Sequence, residues 1–524
     1  MTSSIFSGDS DAYRSLLEIG AALSGFVDLD PLLEMILMSA KRLSAADGGT
    51  LYLADTDGYL HYKILHTSSL NLSLGGANGA APNLPPISIN DTGSLAAYCA
   101  RTKTSLSIPD IYLDTNLDFS GSRKFDIAHQ YRTMSILGVP LIDHRGDAIG
   151  VLQLINAIDP ETGKSIPFNA EARELCEALA SQAAIAISNR TLMTQLEELF
   201  LALIKLINDA VDDKSPYTGG HCNRVPELTL MLAEATCAAD YGPLRDFEMN
   251  RDDFYELRVA GLLHDCGKIV TPVHVVDKAT KLETIFDRIA LVDTRFEVLI
   301  LQLEIALLKG EIDQFEHDRR RAAYIADREF LRQANIGSER MQPEDIDRVH
   351  AIASERWQPT GEVSQPFLSE NEVENLIIVA GTLTSAERDI INHHITATIR
   401  MLEALPWPKH LKNVTEYAGG HHERMDGRGY PKGLKRDEMS VQARMMAIAD
   451  VFEALTAADR PYKKGKTLSE ALRIMSFLRN DHHIDPDLFD IFLREKVYER
   501  YANEFLPPEQ IDAVDTEKLM SFNV

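Results

Sequence analysis

His264-Asp265 and His421-His422 are two metal-type pairs far apart in one chain, and His221, His394 and Asp450 fall between and around them. Each of these residues lies beside an apolar run that can orient it inward. A chain that uses them jointly must fold so that helices distant in sequence surround one cavity. Local propensity constrains the architecture far less than this requirement does.

The immediate surroundings of the candidates sharpen the point. His221 follows the turn Pro216-Tyr217-Thr218-Gly219-Gly220, which opens a helix, and His264-Asp265 ends the apolar helix Val259 to Leu263, with Gly267-Lys268 after it. His394 lies in a helix opened by Thr384, where Glu387 completes a capping box. Asp450 sits in the apolar run Ala443 to Val451, where a lone buried carboxylate is costly. The loop Glu423-Arg424-Met425-Asp426-Gly427-Arg428-Gly429-Tyr430-Pro431 is glycine-interrupted, basic and aromatic, a surface suited to a phosphate and a base.

Imidazole nitrogens and carboxylate oxygens together suit Fe, Mn, Zn or Ni better than Ca or Mg. The set is too large for one tetrahedral zinc. The economical count is two divalent transition-metal ions, Fe or Mn ahead of Zn or Ni, with Asp265 as the natural bridge. A metal pair activates water near neutral pH and offsets charge on phosphoryl oxygens, which suits hydrolysis of a phosphodiester. Lys268, one turn from the His-Asp pair, is placed to neutralise the phosphate or orient the water. A lone helical histidine, by contrast, is more often a packed or solvated residue.

Composition narrows the partners. The chain carries 79 acidic and 53 basic residues, a net charge of −26. That argues against a nucleic-acid polymer, which needs a basic footprint. Any anionic substrate must find its positive charge locally. Five cysteines (Cys99, Cys176, Cys222, Cys237 and Cys266) are few, odd in number and unclustered, which points to a reduced, cytoplasmic compartment. No charged-then-apolar leader pattern and no apolar run of about 18 residues is present, so no membrane insertion is expected.

The 524 residues exceed one core. Residues 12–190 read as α/β: a helical stretch Leu16 to Leu43, strands at 49–53 and 60–65, a hairpin of 135–141 and 148–155 around His144-Arg145-Gly146-Asp147, and a helix from about 169 to 189. Leu192, Leu196, Leu199, Leu203 and Leu206 then follow a 4-3-4-3 spacing. Residues 191–213 are therefore a connecting signalling helix. It either pairs in parallel with a second copy, giving a homodimer, or lies on its own domain. Residues 214–505 read as helical, interrupted by an insertion at 283–380. There Ile285, Ile289, Val292, Phe296, Leu299 and Leu303 repeat before Gly310, and Phe315 to Leu331 continues with mixed charge, including Arg319-Arg320-Arg321. This predicts an antiparallel helical hairpin, followed by a polar loop from Glu355 to Glu370.

The order of elements in 12–190, with Arg123-Lys124-Phe125-Asp126, Tyr131 to Pro140 and Ile149 to Asn156, resembles a GAF domain, a small-molecule sensor module, most nearly those of cyclic-nucleotide phosphodiesterases. The resemblance implies an unknown small-molecule ligand, cyclic nucleotides among the candidates, with Arg132 and Asp126 as sensor-ligand residues. Asn156 and Phe168 fit that family's pattern, but Ala157 and Ala172 stand where its Lys and Asp would pair.

His264-Asp265 with Gly267-Lys268, His421-His422-Glu423, Gly427-Arg428-Gly429-Tyr430-Pro431 and Asp459-Arg460-Pro461-Tyr462-Lys463 are similar to the HD-GYP family, over about 200–285 and 381–495. That family is a branch of the HD-domain metal-dependent phosphohydrolases and hydrolyses cyclic di-GMP. The resemblance implies metal ligands at His221, His264, Asp265, His394, His421, His422 and Asp450, and catalytic roles for Asp265 and Lys268. It implies substrate contacts at Lys268, Tyr430, Arg460 and Lys463. Asp485-Pro486 fits the family's closing helix. Tyr217 stands where some members carry a Glu for a third metal, so two metals are expected.

The expectation is thus an α/β GAF sensor followed by an all-α HD-type phosphohydrolase domain with a helical-hairpin insertion. Its expected activity is hydrolysis of cyclic di-GMP to pGpG, with the final product, pGpG or GMP, left open. The alternatives are a phosphodiesterase for another cyclic dinucleotide and a cyclic di-GMP receptor without turnover.

Overall fold

A computed structural model describes residues 28–76, 79–115, 117–214, 220–337, 340–358, 363–458 and 465–520. They form two units, divided between Phe200 and Leu201.

The first unit is built on an antiparallel sheet in the order β3 (Leu72–Gly75), β2 (Tyr59–Thr67), β1 (Ala46–Ala54), β7 (Ala148–Ile158), β6 (Ile136–Ile142) and β5 (Leu106–Ile108), with β4 (Ile87–Ser88) pairing at β2 and β8 (Ser165–Ile166) at β7. Its longest strands are β1, β2, β6 and β7. Alternation along the strands serves two cores, because successive side chains point to opposite faces. Leu51, Leu137, Leu152 and Leu154 meet the helix Leu29–Leu43 and the start of the helix Ala170–Lys214 on one face. Tyr52, Ile136 and Val151 meet the helix Leu95–Thr102 on the other. Gly138 lets that helix approach, since a Cβ there would lie 2.7 Å from Cys99 Sγ. The hairpin read from the sequence is β6–β7, and the strands at 49–53 and 60–65 lie inside β1 and β2. Of the helix expected from Leu16, the structure describes Leu29–Leu43; Leu16 to Val27 lie outside the described residues.

Ala157 and Phe168 are both buried in the first core, so the position that would carry a lysine is filled with apolar packing instead. Asn156 does the fastening. Its Oδ1 accepts from Met134 N at 2.7 Å, and its Nδ2 donates to Tyr131 Oη and to the Arg132 carbonyl, both at 2.8 Å. Its φ of 54° is a left-handed conformation that asparagine tolerates better than most residues.

The closing helix and the connecting helix are one element, Ala170–Lys214, of 45 residues. Asn189-Arg190-Thr191 contains no Gly or Pro to break it. All five heptad leucines are exposed, from 40% at Leu192 to 63% at Leu206.

The second unit is helical. The helix His221–Ala238 packs against Arg251–Leu263, Val441–Thr456, Pro486–Arg494 and Val497–Phe505. Phe452, Phe492 and Tyr501 lock part of this bundle edge to face, with ring centroids 5.1 and 5.8 Å from Phe452. The insertion has a core of its own. Val292, Phe296, Leu299 and Leu303 of the helix Ile289–Leu308 pack with Tyr324 and Leu331 of the antiparallel helix Gln314–Ile336. Of the segment read as a polar loop, residues 359–362 lie outside the described residues, and the rest carries regular structure and core packing. A short ribbon, Arg356–Trp357 with Gln365–Pro366, delivers Phe367 and Leu368 into the core, and the helix Glu370–Leu376 starts on a Ser369 capping box. Two apolar residues in a polar stretch are too few to show periodicity, so only the tertiary fold reveals them.

Asn156→Ala removes the three side-chain hydrogen bonds and leaves alanine in a left-handed conformation, at an expected cost of about 2–4 kcal/mol. Chemical denaturation of the full chain should show the first unit's transition moving to lower denaturant. An unmoved transition would mean that Asn156 does not hold this loop.

Candidate metal centre

Each candidate ligand arrives from a different part of the helical unit. His221 is the first residue of the helix His221–Ala238. His264 ends Arg251–Leu263, and Asp265 precedes the tight turn Cys266–Val270 that carries Lys268. His394 lies in the helix Ser385–Glu403, and Asp450 in Val441–Thr456. His421 and His422 follow the short helix Val414–Gly419. What joins the upstream and downstream halves is Gly267. A Cβ there would sit 2.1 Å from the His394 carbonyl oxygen and 2.6 Å from Thr398 N. With glycine, the turn lies on the helix backbone, and Gly267 N donates to Thr398 Oγ1 at 2.9 Å.

The result is two adjoining groups of ligand atoms. His221, His264 and Asp265 form one, and His394, His421 and His422 form the other, with the ligand atoms of each group within 4.8 Å of one another. Asp265 faces both. Its Oδ2 is 3.2 Å from His221 Nε2 and 3.3 Å from His264 Nε2, while its Oδ1 is 3.2 Å from His394 Nε2. Asp450 Oδ1 lies 3.2 Å from His221 Nε2, and Lys268 Nζ lies 2.5 Å from Asp265 Oδ2.

One device orients three of the rings. Nδ1 of His264 faces the Gly261 carbonyl at 2.6 Å, Nδ1 of His421 faces the Ala418 carbonyl at 2.6 Å, and Nδ1 of His394 faces the Ile391 carbonyl. A proton on Nδ1 leaves the Nε2 lone pair aimed inward, the arrangement a metal ligand needs. His221 is held differently, with Nδ1 2.5 Å from Glu453 Oε2, and Arg224 Nη2 lies 2.6 Å from Glu453 Oε1.

The electrostatics match cation binding. Burial opposes charge on Asp265, yet Lys268, His264 and His221 hold its carboxyl well below the usual range. Burial also opposes charge on His221, but hydrogen bonds to Asp265, Asp450 and Glu453 outweigh it and raise its pKa well above the ordinary value. The carboxylates thus draw positive charge to this spot. On the other side, burial and the neighbouring His422 push His421 well down, and burial pushes His422 down to about 4. Neutral imidazoles and ionised carboxylates are the metal-competent forms. Asp265 Oδ1, His394 Nε2 and His421 Nε2 are buried without a hydrogen-bond partner. Three orphaned acceptors around one space would be costly unless something coordinates them, so the donor set fits metal ions.

Beside the cluster, the Tyr430 ring stacks on His422 with centroids 4.9 Å apart. Its loop is pinned by Glu423, whose carboxylate accepts from Lys432 N at 2.7 Å and Leu434 N at 2.9 Å. Gly429 is obligatory there, because a Cβ would lie 2.4 Å from Glu423 Cα. Arg460, Lys463 and Tyr217 lie outside the described residues. In the first unit, Asp126 is buried and accepts from Tyr112 Oη, Thr133 N and Thr133 Oγ1, at 2.8, 2.9 and 2.8 Å. Arg132 is exposed, its guanidinium 4.8 Å from the Tyr112 ring centroid.

Sequence reasoning missed Glu453 and Arg224. The signal was available: Glu453 is one turn after Asp450, and Arg224 one turn after His221.

Comparison with known proteins agrees with this division. Residues 28–187 match the family model described as GAF domain, and residues 340–488 match the one described as HD domain. The second match starts inside the insertion, so it leaves out His221 and His264-Asp265. A stretch of 114 residues is 40% identical to a cyclic di-GMP phosphodiesterase of Pseudomonas aeruginosa, covering 22% of this chain and 26% of that protein. Another, of 81 residues, is 46% identical to a 3'3'-cGAMP-specific phosphodiesterase of Vibrio cholerae, covering 16% and 19%. A third, of 136 residues, is 37% identical to a cyclic di-GMP phosphodiesterase of Thermotoga maritima, covering 25% and 36%. The chain therefore spans about a third or less of these curated relatives. Among the described residues, no helix is long and apolar enough to cross a membrane.

Asp265→Ala should abolish binding of both metals while far-UV circular dichroism retains the helical signal; full metal content by elemental analysis would refute the bridge. Glu453→Gln should weaken metal affinity by roughly 10–100-fold, as loss of an outer hydrogen bond to a ligand histidine does. Unchanged affinity in a chelator competition would remove Glu453 from the site.

Proposed function

We propose that the chain is a phosphodiesterase that hydrolyses cyclic di-GMP with two divalent transition metals, Fe or Mn ahead of Zn or Ni, under control of its GAF-type unit. The observation that carries this reading is the two-faced placement of Asp265 between the two histidine groups. Addition of one water across a P–O3′ ester bond opens the ring to pGpG, and a second hydrolysis yields GMP. The metals, when bound, would supply Lewis-acid polarisation of the phosphoryl oxygens and activation of the attacking water.

The chain's own residues supply the rest. His221, His264, Asp265 and Asp450 would hold one ion, and His394, His421 and His422 the other, with Asp265 shared. Glu453 and the three backbone carbonyls fix the rings. Lys268, beside Asp265, would meet phosphoryl charge, and Tyr430 would offer its ring to a guanine, with Arg460 and Lys463 contributing further contacts. The exposed heptad leucines support a parallel homodimer, and the five free thiols fit a cytoplasmic location. The sensor ligand would be a small molecule that meets Arg132.

A second substrate reading, a mixed guanine–adenine cyclic dinucleotide, is favoured by the 46% identity to a 3'3'-cGAMP-specific relative. The same metals would serve, and only the base contacts would differ.

Anaerobically purified, metal-loaded protein should convert cyclic di-GMP to pGpG in a panel of cyclic dinucleotides resolved by chromatography. Faster turnover of the mixed dinucleotide would transfer the assignment to it. Binding without any product would leave a receptor. Tyr430→Ala should raise KM by roughly 5- to 150-fold, the equivalent of about 1–3 kcal/mol of stacking, with kcat less affected. For the dimer, replacing Leu199 and Leu203 with Glu should halve the mass measured by light scattering; an unchanged mass would exclude the seam as the interface.

A further inference from the structure

The end of the long helix touches both of the chain segments that bring in the upstream ligands. Lys214, its last residue, donates from Nζ to the Lys268 carbonyl at 3.3 Å and to the Ile269 carbonyl. Those carbonyls belong to the turn that follows Asp265 and carries Lys268. One half-turn earlier, Asp212 Oδ2 accepts from Gly220 N at 3.2 Å, and Gly220 is the N-cap of the helix that His221 begins. The helix is seated where this happens. Ile204, Asn208 and Val211 are at most 2% exposed, while Leu203 and Leu206 on the neighbouring face are 50 and 63% exposed.

We infer that Lys214 and Asp212 are positioning residues: they set the turn bearing Lys268 and the helix start bearing His221 by direct contact from the connecting helix. The inference rests on the phosphodiesterase reading for its consequence in turnover, but the contact stands on geometry alone. A lysine at a helix C-terminus is favoured by the helix dipole, and here its ammonium also occupies carbonyls of the tight turn. Shift or rotate the last turn of the helix and the Lys268 carbonyl is drawn with it, because that side of the turn is exposed at Ile269 and Val270 and the carbonyl's other bond, from Thr271 N at 3.0 Å, lies within the turn itself. The Gly267 side, by contrast, is fixed on the helix Ser385–Glu403. Motion of the connecting helix would therefore act on Lys268 more than on Asp265 or His394, changing turnover and leaving the metals bound.

The test is Lys214→Met in the full chain, read in two ways. Amide hydrogen exchange across residues 264–271 should accelerate about tenfold, with the helix Ser385–Glu403 unchanged and two metals per chain retained. Lys214→Arg should restore protection. In cyclic di-GMP hydrolysis, kcat should fall about tenfold at near-constant KM, and the loss should vanish in a Lys268→Met background. Unchanged exchange in the turn overturns the inference, whether or not the substrate assignment holds. Faster exchange throughout the unit with loss of metal also overturns it, because the lysine would then be only a stabilising residue. Absence of hydrolysis by the unmodified chain, with the exchange result as expected, sinks the phosphodiesterase reading and leaves the contact assigned.

Discussion

Everything at the candidate centre depends on a backbone contact too close for any side chain. The turn after His264-Asp265 rests on the helix that carries His394, and Gly267 is the residue at the contact. Without that approach, Asp265 Oδ1 would not reach His394 Nε2, and the histidines before and after the insertion would form two incomplete sites. The buried carboxylate is then kept ionised by its surroundings: burial works against it, and Lys268, His264 and His221 prevail. Geometry and charge are thus settled by the same few residues.

The site shows a division of labour among backbone and side chains. Carbonyls one turn upstream orient His264, His394 and His421, which needs nothing from sequence beyond a helix end or helix turn. His221 starts a helix and is held from the side by Glu453, which Arg224 holds in turn. That carboxylate comes from another helix, Val441–Thr456, and is nearly fully buried.

Much of this was legible in the sequence because the candidate ligands sit next to strong local signals. The Thr384 capping box, the apolar run around Asp450 and the glycine loop before Tyr430 each fixed an element and pointed its polar residue inward. The hairpin of β6 and β7 was equally plain from its alternation. Glu453 was harder to read: its one-turn spacing from Asp450 puts it on the same helix face, but its partner His221 lies more than half the unit away in sequence. Phe367 and Leu368 were hidden for a related reason: an isolated apolar pair has no period. The continuity of Ala170–Lys214 was underread because the seam and the amphipathic stretch before it have different apolar faces, and nothing between them breaks a helix.

The insertion leaves and re-enters the helical unit at a single doorway. Thr382 Oγ1 donates to the Lys278 carbonyl at 2.9 Å, while the buried Lys278 ammonium holds Glu387 and Asn375. Chain that departs and returns through neighbouring points exerts no leverage on what lies either side. Such a junction makes the helical scaffold indifferent to its cargo: evolution could lengthen, trade or prune this appendage while His264 and His394 keep their rendezvous.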